Sequence, residues 1–135
     1  EDALMMAIPK LGAVIIDTWN HEPDINQDLL DMVDIATPHI AGYSYQGKQN
    51  GTAFAVQAVA RHFVIDKLMD FYPEADIPDH DPVHLDLKGK NQGEVAAVFQ
   101  YNYPIFTDDF RFRMEPYLFE KLRSEYQYRR EIYFE

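Results

Sequence analysis

The sequence predicts an α/β architecture followed by a small α+β unit, and three observations carry that reading. The run Ala13-Val14-Ile15-Ile16 is continuously apolar, as suits a strand covered on both faces in a parallel sheet. A second, shorter run, Val33-Asp34-Ile35-Ala36-Thr37, is closed by Pro38, which cannot donate to a ladder. Between them, residues 25–32 read as a helix, the kind of crossover that parallel strands need.

In chain order, residues 2–8 form a short amphipathic helix stopped by Pro9, with Gly12 in the turn before the first strand. Asp17 lies at that strand's carboxyl end, the edge where open α/β sheets bind ligands, and a strand-end cap is its bland alternative. His39 stands at the end of the second strand and Glu22 in the loop after the first. Two parallel strands joined by one helix would bring both to the same rim. A carboxylate against an imidazole fixes the ring and favours its charged form. Such a histidine takes a proton from a hydroxyl being oxidised, or returns it to a carbonyl. Spacing alone favours the bland alternative, a locally capping or salt-bridged Glu22 and a satisfied core His39.

Trp19, the only tryptophan, is expected to pack rather than bind, and His21, beside Pro23, to be exposed. Asp24 and Asn26 are helix caps, with Leu29, Leu30 and Met32 as the helix's core face. Gly42, Gly47 and Gly51 then allow tight turns or close approach to a ligand. From Thr52 a helical pattern through Val56, Val59, Ala60 and Phe63 is expected to reach about Tyr72, where Pro73 stops it; His62 on it is a surface residue.

Residues 73–82 are acidic, contain three prolines and read as a linker. Asp79-His80-Asp81 with His84 and Asp86 suggests a metal site, but the spacing matches no strong template. A strand over 83–87 would turn His84 and Asp86 to solvent, so no metal is assigned. Residues 94–101 read as a helix with Val95, Val98 and Phe99 inward, and Pro116 opens another, through Tyr126, on Leu118, Phe119 and Leu122. Residues 108–113 are mixed and assign no element; 128–134 alternate as a strand. Arg111, Arg113, Arg123, Arg129 and Arg130 among many aromatics suggest a partner surface, with core packing and salt bridges to the abundant acids as the bland alternative.

At 135 residues the chain is one ordinary domain's worth. Its net charge of −11 argues against nucleic acid or an anionic membrane as partner. It has no cysteine, hence no disulfide, thiolate nucleophile or zinc-thiolate site. No apolar run approaches the ~18 residues of a membrane span, and no signal peptide is present, so a cytoplasmic protein is expected.

Glu22-Pro23, with Thr37-Pro38-His39-Ile40-Ala41-Gly42 downstream, resembles the carboxyl-terminal part of the D-2-hydroxyacid dehydrogenases. The continuation Gly42-Tyr43-Ser44-Tyr45-Gln46-Gly47-Lys48, then Gly51-Thr52, is similar to one branch of them, whose substrate is a phosphorylated 2-hydroxy acid on the route to vitamin B6. Phe119-Glu120-Lys121-Leu122-Arg123, Tyr126 and Arg129-Arg130-Glu131 resemble that branch's added carboxyl-terminal domain.

The resemblance implies NAD as cofactor, His39 and Glu22 as the acid/base pair, Asp17 and Gly42 on the cofactor side and Tyr43 on the substrate. Lys48 is the candidate phosphate contact, as a point charge, and a merely solvated loop lysine is its bland alternative. The implied fold is the carboxyl-terminal end of a Rossmann-type NAD-binding domain with its crossing helix (1–72), a linker (73–82) and an α+β dimerisation domain (83–135) making a homodimer. No Gly-x-Gly-x-x-Gly occurs in the sequence, and the arginine that members use on the substrate carboxylate would lie upstream of Glu1. The chain is therefore expected to be a carboxyl-terminal piece, inactive by itself.

Overall fold

The computed structural model describes residues 1–74 and 83–132. Its elements are α1 (Asp2–Ala7), β1 (Ile15–Ile16), α2 (Gln27–Met32), β2 (Ile35–Ala36), α3 (Tyr45–Phe63), α4 (Gln92–Asn102), α5 (Ile105–Met114) and α6 (Phe119–Ser124), with short 3-10 turns at Ile8–Lys10, Asp66–Leu68 and Pro116–Leu118. The chain divides into two units that interleave in sequence: Glu1–Ala41 with Ala96–Gln127, and Gly42–Val95 with Tyr128–Glu135.

The first unit contains the expected strand, helix, strand. β1 and β2 pair in parallel, Ile15 opposite Ile35 and Ile16 opposite Ala36. Asn26 caps α2, its side chain accepting from the Leu29 amide, so the helix starts at Gln27 rather than at Ile25. Leu29 and Leu30 are buried as expected; Met32, expected with them, is exposed at the last turn. Val14 is buried but Ile15 is 67% exposed, because among the described residues the sheet has only these two strands and nothing covers its other face.

The free edge of β2 is closed by a side chain instead of a strand. The Ala36 amide donates to Asp109 Oδ1 at 2.7 Å, and the same oxygen accepts from Arg113 Nε at 2.9 Å. Arg113 then reaches the carbonyls of Leu30 and Val33, filling acceptors that the end of α2 leaves open. Both side chains come from α5, within the stretch whose sequence pattern assigned no element. Around this clamp Val14, Trp19, Ile25, Leu29, Leu30, Val33, Ala36, Phe112 and Phe119 form one core. Trp19 meets the edge of Phe112 at 5.8 Å, and Phe112 that of Phe119 at 5.7 Å. The helix expected through 116–126 is a 3-10 turn followed by α6, with Phe119 buried and Leu122 against the core.

In the second unit α3 both starts and stops earlier than its apolar pattern predicts. Ser44, not Thr52, is the cap, accepting from the Gly47 amide at 2.8 Å. The helix ends at Phe63 because Val64 adopts a left-handed conformation, φ 55°, and Ile65 N donates to Ala60 O. The chain then runs back along α3: Gln57 donates to Phe71 O, Gln49 to Pro73 O, and Tyr72 hydroxyl to Asn50. Buried Ala53 and Ala60 lie on the covered face, whereas Phe54, Val59 and Phe63 point outward.

The strand expected over 83–87 is irregular chain, because Asp86 instead takes the Lys88 amide in a local turn. The strand expected over 128–134 is reduced to one bridge, Ser44 with Arg129, and residues 133–135 lie outside the described set. α4 forms where expected, but with no buried residue and with Phe99 exposed. Most of the linker and Asp79, His80 and Asp81 also lie outside the described residues.

Candidate active site

The two parallel strands deliver Asp17 and His39 at their carboxyl ends, and the loop from Thr18 onward brings back Glu22. Glu22 Oε2 lies 2.8 Å from His39 Nδ1, and its other oxygen accepts the Trp19 amide at 2.8 Å. Burial of Trp19 makes that amide a fixed donor: its indole nitrogen donates to Thr37 O at 2.9 Å, tying the loop to the second strand's end. The imidazole is 37% exposed and the Glu22 side chain 23%. Nδ1 is taken, which leaves Nε2 as the nitrogen for an incoming group.

Burial pushes the Glu22 carboxyl upward. It is outweighed by the hydrogen bond from His39, the Trp19 amide and the positive charges of His39 and Arg123, so the net shift is downward. Glu22 is held as a carboxylate.

Asp17 fastens the loop that carries His39. Oδ1 accepts from Thr37 Oγ1 and the Ile40 amide, both at 2.7 Å, and Oδ2 from the Ala41 amide at 2.9 Å. These bonds bracket His39, whose backbone is left-handed at φ 55°. That conformation is uncommon for a residue with a Cβ, and it is held where surrounding bonds fix it. Three donors leave the carboxylate with acceptor capacity to spare, of roughly four lone-pair sites. Asp17 therefore caps the strand end and still has a position for an outside N–H.

Arg123, which the sequence suggested for a partner surface or a salt bridge but not for this site, donates from Nε to the carbonyl of His39 at 3.1 Å. It stands 84 residues away in the chain. The one signal for it is spacing: Phe119 and Leu122 fix the inward face of α6, and Arg123, four residues after Phe119, shares that face.

Gly42, Tyr43 and Lys48 belong to the second unit. Gly42 is left-handed, φ 77°. The Lys48 ammonium sits 3.5 Å from the centre of the Tyr43 ring and 5.6 Å from that of Tyr128, a cation–π arrangement. Tyr128 meets the edges of Tyr43 and Tyr45 at 5.7 and 5.9 Å. His21 is exposed and Trp19 packs, as expected. Among the described residues no group of three or more histidines, aspartates or glutamates is arranged to hold a metal; His84 and Asp86 are exposed. No described helix is long and apolar enough to cross a membrane.

A carboxylate-bound histidine at the carboxyl ends of parallel strands is the arrangement implied for D-2-hydroxyacid dehydrogenases, and sequence comparison relates the chain to dehydrogenases. It is 39% identical over 132 residues to the erythronate-4-phosphate dehydrogenase of Bacteroides thetaiotaomicron, a match covering 96% of this chain and 35% of that protein. It is 38% identical over 137 residues to that of Cellvibrio japonicus, covering 89% and 35%, and 36% identical over 143 residues to that of Marinobacter nauticus, covering 96% and 36%. The chain is thus related nearly throughout to erythronate-4-phosphate dehydrogenases, the branch that residues 37–52 resemble, and spans about a third of their length. No family model matches it.

Proposed function

We propose that this chain is the acid/base part of a cytoplasmic, NAD-dependent 4-phosphoerythronate dehydrogenase, which oxidises 4-phospho-D-erythronate to 3-hydroxy-2-oxo-4-phosphobutanoate in the biosynthesis of pyridoxal 5'-phosphate. The observation that carries the proposal is the Glu22–His39 contact at 2.8 Å beside two parallel strand ends. His39 takes the proton of the substrate's 2-hydroxyl at Nε2. Glu22, on Nδ1, selects the tautomer that leaves Nε2 basic, orients the ring and stabilises the imidazolium as it forms. A bound nicotinamide cofactor would supply the acceptor for the hydride that leaves C2. Asp17 holds the cofactor side: its remaining acceptor capacity suits a carboxamide N–H, and Gly42 offers backbone without a side chain in the way. Tyr43 and Lys48 contact the substrate, hydroxyl and ammonium together suiting a phosphate or an oxygen near it.

The whole enzyme is proposed to act as a homodimer through its carboxyl-terminal part. The observation favouring it is an exposed apolar ridge on α5, Phe106, Phe110 and Met114, continued by Tyr117. A dimerisation surface is also what these residues would supply without catalysis.

The test is NADH formation by the full-length protein with 4-phosphoerythronate, D-lactate and D-3-phosphoglycerate, in wild type and His39→Asn. Turnover of 4-phosphoerythronate alone, lost by at least about a hundredfold in the variant, is the expected result. Preference for another acid would sink the substrate assignment, and an unaffected variant would sink the acid/base role.

A further inference from the structure

We propose that Arg123 is a positioning residue for the acid/base histidine: from α6 it holds the main chain of His39 in the left-handed conformation that presents the ring to Glu22. This rests on the reading of His39 and Glu22 given above.

The peptide unit that follows His39 is held at both of its polar ends. Its N–H, that of Ile40, donates to Asp17 at 2.7 Å, and the next amide, of Ala41, donates to the same carboxylate. Its C=O, that of His39, is an acceptor that a carboxylate cannot serve, and Arg123 Nε donates to it at 3.1 Å. A residue with a Cβ at φ 55° relaxes toward ordinary backbone once such a partner is removed. Turning the peptide then swings the ring, and the 2.8 Å contact with Glu22 is lost or lengthened. Arg123 is well placed to resist this, because α6 is anchored by buried Phe119 and by Leu122 against the core. A guanidinium suits the task, since it is planar and stays charged at every working pH.

Arg123 also acts through charge. Burial raises the Glu22 carboxyl, and His39, the Trp19 amide and lastly the charge of Arg123 lower it, so the guanidinium is one of the contributions that keep it low. Removing it lets Glu22 take up a proton at higher pH, so the loss of stability that follows Glu22 protonation begins at higher pH.

The experiment compares wild type, Arg123→Met, Arg123→Lys and His39→Asn in the full-length dehydrogenase, reading kcat, KM and stability against pH, with folding followed by circular dichroism. Arg123→Met is expected to lose on the order of 10- to 100-fold in kcat with KM little changed, and to begin losing stability at a higher pH than wild type as acid is added. Arg123→Lys, keeping the charge and a donor, recovers the acid stability and most of kcat. An unchanged kcat in Arg123→Met overturns the proposal, as do equal losses in both variants that track loss of folded protein. Retained turnover in His39→Asn is the separate sign that the acid/base reading itself fails.

Discussion

At Glu22 a single carboxylate serves the loop and the histidine together, and this links its chemistry to the stability of the fold. Its folded pKa is depressed, so its contribution is present above the ordinary glutamate value, about 4.3, and is lost as pH falls through the lower folded value. Glu22→Gln is accordingly expected to be less stable than wild type at pH 7, with the gap closing below about pH 4. Urea unfolding followed by Trp19 fluorescence at both pH values checks this, because the only tryptophan is buried beside the pair and its amide binds Glu22. A gap independent of pH would mean that the side chain acts by shape rather than charge. Since the pair is partly open to water, screening keeps the effect modest. Glu22 and His39 were legible through the motifs Glu22-Pro23 and Thr37-Pro38-His39-Ile40-Ala41-Gly42 and the resemblance they carry, since spacing alone favours a local cap and a core histidine. Arg123 was not: contacts 84 residues apart leave no local pattern.

Local pattern also explains which elements could be read. In α2 the capping residue and the inward leucines agree, and the helix was found within two residues of its bounds. In α5 the usual code is blurred: Asp108, Asp109 and Arg113 lie toward the core side beside buried Phe112, while Phe106, Phe110 and Met114 point outward. Its inward polar groups have long-range partners: Asp109 and Arg113 on the strand edge and helix end, Asp108 on the Tyr126 hydroxyl at 2.9 Å. The start of α3 was misplaced because Gly42, Gly47 and Gly51 fall within ten residues around its beginning, which argues for a loop. Yet Gly47 is there for space: a Cβ would lie 2.6 Å from Gly42 O and 2.7 Å from Ser44 Oγ, the capping oxygen. Gly51, four residues on in the same helix, has nothing within 4 Å. Gly47→Ala is thus expected to destabilise by about 1–3 kcal/mol, since a backbone carbonyl or the cap must move. Gly51→Ala should stabilise by about 0.5–1 kcal/mol, from helix propensity alone. Denaturant midpoints of the two variants decide the matter, and similar shifts for both would show that the α3 cap does not constrain position 47.

Over the whole molecule two properties pull in opposite directions. A net charge of −11 makes identical chains repel, an effect that weakens as salt shortens the Debye length, about 10 Å at 0.1 M. Against it stands apolar surface that a self-contained monomer would not be expected to leave open: Phe106 is 59% exposed, Phe110 62% and Met114 64%, in one row at i, i+4 and i+8 on α5. The row carries no acidic residue, so it is a place where two such chains can meet with the least repulsion. Dimerisation through it has a definite signature. The dimer fraction of the full-length protein, measured by light scattering, should rise with salt, because screening removes repulsion while leaving apolar burial in place. Phe110→Glu, which sets a charge at the centre of the row on an outward position, should shift the protein to monomer at every salt concentration, without altering unfolding reported by Trp19. A dimer unaffected by that substitution would place the interface elsewhere, and a dimer that dissociates as salt is raised would mean that ion pairs, not the ridge, hold the copies together.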